Sequence, residues 1–434
     1  MRRALMDDLV EWKNSRNRKP LILRGARQTG KTWILQEFGT NSFSDMIYIH
    51  LEENAAMTAL FSGSLDPQRL LEGLSAYAGK AIKPDSLVIL DEVQAVPRAL
   101  TALKYFYEEL PEYHIAVAGS LLGVTLQSGA SFPVGKVNFL DLYPMTFREF
   151  LLAGGHDSLV QLIQDNNFDM LEVFSEQLVD LLKQYYYVGG MPEAVLEFMA
   201  TKDFSKVRSI QQSILDGYEG DFSKHAPKVY AEKSRRIWDS MPAQLAKENK
   251  KFIYGVVQKG GRGRDYSTAL QFLKDSGLIY IVPRVSKPGI PLVAYRDNTA
   301  FRAFLVDVGL LGAMADLSER SIVEGNLLLR EFKGTFTEQF VCQELIAECG
   351  YQLYYWSSEK SSGEIDFMFQ SEEVVYPVEV KAAENLKSKS LAAFSKKYDL
   401  RTSIRLSLSG YRDQGWMRNI PLYATGGIRN LLKN

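Results

Sequence analysis

An α/β fold with a parallel-sheet core and a second, C-terminal α/β region is predicted by three observations in this chain of 434 residues. A short apolar run, Leu21 to Leu23, leads into the glycine-bounded loop GARQTGKT (Gly25 to Thr32) and then into the helix-like WILQEF. A second apolar run beginning at Ser86 ends on the acidic pair Asp91 and Glu92. Far downstream, GEIDFMF and VYPVEVK alternate apolar and polar residues and carry Asp366, Glu379 and Lys381.

Composition bounds the possibilities. With 46% hydrophobic and 24% charged residues the chain is ordinary for a globular protein, and its length predicts two to four domains. A net charge of −1 gives the whole molecule no bias toward nucleic acid or membrane, so any such bias is local. The two cysteines, Cys342 and Cys349, make no disulfide framework and are expected as reduced thiols. The N-terminal MRRALMDDLVEW has acids where a signal peptide needs an apolar core, and no apolar run reaches the length of a membrane span. The expectation is a cytoplasmic protein without a membrane partner. Oligomeric state is left open.

The glycine loop has the form G-x-x-x-x-G-K-T in the order strand, loop, helix that a P-loop requires. Phosphates concentrate negative charge. Successive backbone N–H groups in a glycine-permitted loop form an anion nest, and the helix N-terminus adds its positive dipole end. Gly25, Ala26, Arg27, Gln28, Thr29, Gly30, Lys31 and Thr32 are therefore expected to hold ATP. Lys31 would reach the β- and γ-phosphates, and the Thr32 hydroxyl would hold Mg²⁺. Asp91 would hold the water shell of Mg²⁺, and Glu92 would polarise an attacking water. The acidic pair follows Lys31 by about sixty residues, with another strand, Met46 to Leu51, between the motifs. That order predicts the P-loop NTPase branch that inserts a strand between them and hydrolyses ATP with the added glutamate. A further strand begins at His114. Ser120 at its end reads equally as a sensor of the γ-phosphate or as an ST-type turn.

Together GARQTGKT, LVILDEVQ, VAGS and VNFLDLYPMTFREF (Val137 to Phe150) resemble the AAA-type ATPase core of a bacterial and archaeal ATP-binding family. In that family the core precedes a winged-helix segment and a domain of long-uncharacterised function, and the resemblance covers nearly the whole chain. It implies an AAA-type core over residues 1–150. Family members tend to carry Gly-Arg before the last of these strands, where this chain has Gly135-Lys136. If that arginine is a charge-stabilising finger, lysine lacks its planar fork of donors. Arg98 and Arg148 are the other finger candidates.

From 151 to 222 apolar residues recur at three-and-four spacing, which predicts a helical lid on the core. Gly189, Gly190 and Pro192 mark a sharp helix break and also fit the family. From Ser223 to Arg264 eleven Lys or Arg face three acids. Two helical stretches follow one another there, then LIYIVPRV and PLVAYRD as two strands joined by SKPGI, the outline of a winged helix over 223–325. QKGGRGR, Gln258 to Arg264, suits phosphate tracking on DNA. A packing role for the winged helix stays equally open.

Residues 326–434 are expected to form a restriction-endonuclease-like PD-(D/E)xK domain. Asp366, then Glu379-x-Lys381, fits its D…E-x-K pattern, and strand periodicity puts Glu379 and Lys381 on one face. Asp366 and Glu379 would hold Mg²⁺, with Lys381 orienting a water. Glu338, on the helix-like GTFTEQFVCQELIAECG, matches the helix glutamate such nucleases often carry. Lys381 to Arg405 holds seven Lys or Arg and two acids, and YYWSSEKSSGE offers aromatics and serines, both apt for nucleic acid. Three functions fit: an ATPase coupled to a DNA-binding and nuclease region, a nucleotide-gated switch for a protein partner with a non-cleaving nuclease-like domain, and a non-hydrolysing scaffold.

Overall fold

The computed structural model describes residues 1–119, 134–225, 228–247, 250–319, 330–358, 363–382 and 388–433. The chain divides into two compact units, Met1–Tyr143 with Gln271–Leu278, and Pro144–Leu270 with Ile279–Asn434.

The first unit is built on five strands: β1 (Leu21–Arg24), β2 (Asp45–His50), β3 (Ser86–Asp91), β4 (His114–Ala118) and β5 (Asn138–Asp141). Their order is β2-β3-β4-β1-β5, and every pairing is parallel. The strand feeding the glycine loop and the strand ending in Asp91 are therefore not neighbours, because β4 lies between them. A parallel sheet needs both faces covered, which is why these strands read as unbroken apolar runs. Leu21, Leu23, Leu87 and Ile89 pack on one face against Trp12 and Phe38. Ile22, Val88 and Leu90 pack on the other against Leu74, Leu103 and Phe106. The covering helices carry local start signals. Asp66 caps Pro67–Ala78 by accepting from Arg69 N, with proline at its first position, and Gly79 ends it in the left-handed conformation.

The second unit holds a mixed sheet of eight strands in the order β12-β13-β11-β10-β9-β8-β6-β7. These are β6 (Ile279–Val285), β7 (Arg296–Leu305), β8 (Tyr354–Ser357), β9 (Glu364–Ser371), β10 (Val374–Val380), β11 (Ser403–Ser407), β12 (Arg412–Asp413) and β13 (Met417–Pro421). The expected hairpin after the basic region exists, since β6 and β7 pair antiparallel. Its second strand starts later than the sequence suggests. The apolar LVAY is a 3₁₀ turn over Leu292–Tyr295, with Ala294 N donating to Pro291 O and Leu292 N to the Gln370 side chain. β6 also pairs in parallel with β8, so the hairpin continues the C-terminal sheet. Six helices run between Phe147 and His225, where the helical stretch was predicted. Among the described residues no helix is long and apolar enough to cross a membrane.

The TFRE of the LYPMTFREF motif is a capping box. Thr146 Oγ1 accepts from Glu149 N, and a Glu149 oxygen accepts from Thr146 N. The helix Arg330–Ala347 brings Glu344 to the same place, where it accepts from Phe147 N at 2.8 Å. Glu348, just beyond, accepts from Thr146 Oγ1 at 2.9 Å and pairs with Arg148 at 2.6 Å. Burial, then the neighbouring Glu348, push the Glu344 carboxyl up to about 8, against the Phe147 N–H that favours its anion. The native state thus holds a proton that the unfolded chain gives up in the ordinary carboxylate range. This stabilisation is complete below the ordinary carboxylate range and is lost as pH rises toward about 8. The melting temperature should fall across that window. Glu344→Gln should flatten the fall and raise the melting point at pH 8 by about 5 °C. A variant with the parent's pH profile would refute the assignment.

Candidate functional site

The loop Gly25–Thr32 leaves β1 and enters the helix Lys31–Ser42. Its glycines are dictated by conformation. Gly25 has φ 150°, and a Cβ there would collide with the Leu142 carbonyl oxygen. Gly30 turns the chain into the helix at φ 92°. The Lys31 ammonium donates to the carbonyls of Gly25 at 3.0 Å and Ala26 at 2.7 Å, so it arches back over the loop. Lys31 is 8% exposed. Burial lowers its pKa to about 8, against the opposing pull of Glu92 and Asp91.

The second motif meets the first through one short bond. Thr32 Oγ1 donates to Asp91 Oδ2 at 2.6 Å, and the Tyr48 hydroxyl donates to the same oxygen at 3.1 Å. Asp91 Oδ1 accepts from Glu92 N at 2.9 Å. Glu92 stands in the left-handed region (φ 51°, ψ 47°), a costly conformation for a residue with a Cβ. Gln94 donates its amide to Glu92 Oε2. Among the described residues no group of three His, Cys, Asp or Glu side chains is placed to hold one metal ion. A hydroxyl and a carboxylate side by side suit Mg²⁺, which keeps several waters and takes its remaining ligands from phosphates.

The sequence reading missed two residues here. Arg3 is 5% exposed, and its guanidinium donates to Thr29 O at 2.9 Å and Tyr143 O at 2.7 Å, bracing the loop from behind. Tyr48 lies in the strand between the motifs, where alternation alone marks it as a sheet residue. Ser120 lies outside the described residues. The finger candidates are engaged elsewhere: Lys136 with Glu108 at 3.2 Å, Arg98 with the carbonyls of Phe61 and Gly63, and Arg148 with Glu348.

In the second unit the four nuclease-like positions fall into two ion-pairing groups, joined where Asp366 Oδ2 accepts from Val380 N at 2.8 Å. Glu338 and Asp366 surround cations. Lys250 pairs with Glu338 at 2.5 Å. Arg302 of β7, 1% exposed, contacts Glu338 at 3.6 Å, Asp366 at 4.0 Å and Glu364, while its ring neighbour Tyr355 lies under the guanidinium. Burial, then Glu338, push the Asp366 carboxyl up to about 7, with Arg302 opposing. Glu379 instead pairs with Lys381 at 3.1 Å, and β10 sets it opposite Arg405 of β11. Neither Lys250 nor Arg302 is signalled by the D…E-x-K spacing.

Residues 17–151 match the family model described as "AAA domain". Residues 179–321 and 333–423 match two models described as domains of unknown function, DUF8612 and DUF4143. No curated protein matches the sequence. Among solved structures, the chain is similar to the Walker-type ATPase PABY2304 of Pyrococcus abyssi, at 15% identity over 73% of this chain and 95% of that one, with TM-score 0.45. It is also similar to the Aeropyrum pernix ORC2 protein in its ADPNP-ADP complexes, at 14% identity over 74% and 91%, TM-score 0.34. A third is the Aeropyrum pernix ORC1 protein in complex with DNA, at 14% identity over 74% and 92%, TM-score 0.27. The stretch that matches the AAA domain model, residues 17–151, is the one that holds the parallel sheet and the glycine loop.

Proposed function

We propose that this chain is a Mg²⁺-dependent ATPase whose nucleotide state is passed to a second unit that binds DNA without cleaving it. The observation that carries the first half is the 2.6 Å bond from Thr32 to Asp91, which joins the two motifs that Mg·ATP would bridge. ATP lies along Gly25 to Thr32, with Lys31 moving from the loop carbonyls to the β- and γ-phosphates. Thr32 and, through water, Asp91 would hold Mg²⁺, which would supply charge neutralisation at the phosphates. Glu92 orients the attacking water and accepts its proton, and the Gln94 amide fixes the carboxylate meanwhile. We read 1–150 as the core, 151–222 as a lid, 223–325 as a winged-helix segment and 326–434 as a nuclease-like domain.

The non-cleaving reading of that last domain is favoured by Arg302 and Lys250. Two cations against Glu338, Glu364 and Asp366 supply the positive charge that a nuclease draws from its metal ion. A buried ion cluster of this kind resists losing any one member, because the remaining charges would be left unpaired. The purified chain should therefore hydrolyse ATP in Mg²⁺, with turnover raised by DNA, and should leave supercoiled plasmid intact in Mg²⁺ or Mn²⁺. Nicking that disappears in Asp366→Ala would overturn the non-cleaving half. ATP turnover indifferent to DNA would favour a protein partner instead.

A further inference from the structure

A pocket of about 490 Å³ opens in the second unit where the ends of β6 and β8 meet the C-terminal end of the helix Lys389–Tyr398. Arg284, Ser286, Trp356, Ser357, Lys397 and Tyr398 line it. Its Trp356 side lies on the sheet face away from the Arg302 cluster, while Arg284 stands opposite Tyr355, the residue under the Arg302 guanidinium. Trp356 pairs across the ladder with Ile365, and Ile365 packs with Leu391 and Phe394 of that helix. Side chains alternate along a strand, so Asp366 turns to the opposite face, where Glu338 meets it.

The lining is unusual in kind. Trp356 and Tyr398 form an aromatic corner, their rings at 80°, backed by the buried Phe394, whose ring centroid lies 4.7 Å from that of Trp356 and 4.8 Å from that of Tyr398. The Lys397 ammonium stands 4.9 Å from the centre of the Tyr398 ring and 5.7 Å from that of Trp356. Arg284 is held in one orientation by Asp297, at 2.8 Å from Nε and 2.6 Å from Nη2. Lys397 and three serines, Ser286, Ser357 and Ser358, thus line a half-buried aromatic surface beside the Asp297-paired Arg284, and no carboxylate is among the described lining residues. An uncharged apolar ligand would leave the Lys397 ammonium without use, and a small inorganic anion would leave the aromatic corner without use. A flat ring carrying an anionic group within a few ångströms uses both, and a volume in this range suits one such unit.

We propose that this pocket binds a nucleoside phosphate unit, its base stacked on Trp356 with the Tyr398 ring, at 80° to it, along the base edge, and its phosphate on Lys397. A free nucleotide and an unpaired position in a nucleic-acid strand both supply such a unit. Stacking on a side chain requires a base outside a duplex. The site gives the DNA-binding reading of the second unit a specific contact, and to that extent rests on it.

The test uses the full chain in a Lys31→Ala background, so that the glycine loop contributes no nucleotide binding. Fluorescence anisotropy follows a labelled dT12 strand, and calorimetry follows dTMP and inorganic phosphate. The dT12 strand should bind, and dTMP should displace it while phosphate at the same concentration does not. Lys397→Glu, at an exposed position, should weaken dT12 binding at least tenfold with an unchanged melting temperature, and Lys397→Ala should lower the salt slope by about one. Trp356→Leu should lose binding to a similar extent and Trp356→Phe should restore it. If Lys397→Glu and Trp356→Leu bind dT12 like their parent, the pocket assignment is wrong and DNA binding lies elsewhere. If dTMP binds and dT12 does not, the pocket stands and the DNA reading of the unit falls. Displacement by phosphate as readily as by dTMP would overturn the stacking role.

Discussion

Glu92→Gln is expected to bind ATP and fail to turn it over. The amide keeps the shape of the carboxylate and its place at the end of β3, but it cannot take a proton from water. Removing a general base of this kind costs about 10²–10⁴ in rate. Affinity should stay within a few-fold, because the phosphates are held by the loop and by Lys31 rather than by Glu92. Lys31→Ala should show the reverse emphasis: it loses the charge that meets the phosphates, and ATP binding falls along with turnover. The parent carries a further signature of Lys31. Its ammonium, lowered to about 8 by burial, must be protonated to meet phosphate, so ATP affinity should decline as pH rises past about 8. The check is calorimetric ATP binding between pH 7 and 9.5 beside single-turnover hydrolysis for parent, Glu92→Gln and Lys31→Ala. Undiminished hydrolysis in Glu92→Gln would remove that residue from the chemistry.

The parts legible from sequence are those written as contiguous motifs. The glycine loop, the apolar strand ending in Asp91 and the strand between them each announce themselves within about ten residues, because a backbone nest and a doubly buried strand both have local composition rules. The capping box at Thr146 is equally local, a Thr-x-x-Glu step, but goes unread inside a stretch that sequence reasoning treats only as a family motif. What stayed hidden depends on the fold bringing distant residues together. Arg3 reaches the loop from the chain's beginning, and Lys250 and Arg302 reach Glu338 from elements that carry no part of the D…E-x-K pattern. The spacing of Asp366, Glu379 and Lys381 says which strands bear charge. It does not say which countercharges stand beside Asp366. LVAY misled because an apolar run flanked by proline fits a short strand and a buried 3₁₀ turn equally well. The break at Gly189 and Gly190 was legible, but its physical reason was not.

That reason leads to the largest expected loss of stability. The helix Ser175–Val188 ends at Gly189, whose φ of 72° and ψ of −166° are available almost only to glycine. Gly190 N then donates to Asp307 Oδ2 at 2.6 Å, and Gly190 O accepts from Met145 N at 2.6 Å. A Cβ on Gly190 would collide with the Met145 carbonyl, whose oxygen also accepts from the Tyr185 hydroxyl at 2.6 Å. Asp307 is fully buried and caps the helix Val308–Met314 by accepting from Leu310 N at 3.0 Å. Gln343 joins the same network through Val308 N and Tyr185. Nothing here can retreat without breaking a buried hydrogen bond, so overpacking adds to lost pairing. Gly190→Ala should cost about 3–5 kcal/mol and lower the melting temperature by about 10 °C. Gly217→Ala is the fitting control. It lies within the helix Phe204–His225 with open space around a Cβ, and should be neutral or slightly stabilising. Equal melting temperatures for Gly190→Ala and the parent would show that this junction is not the rigid hub its hydrogen bonds describe.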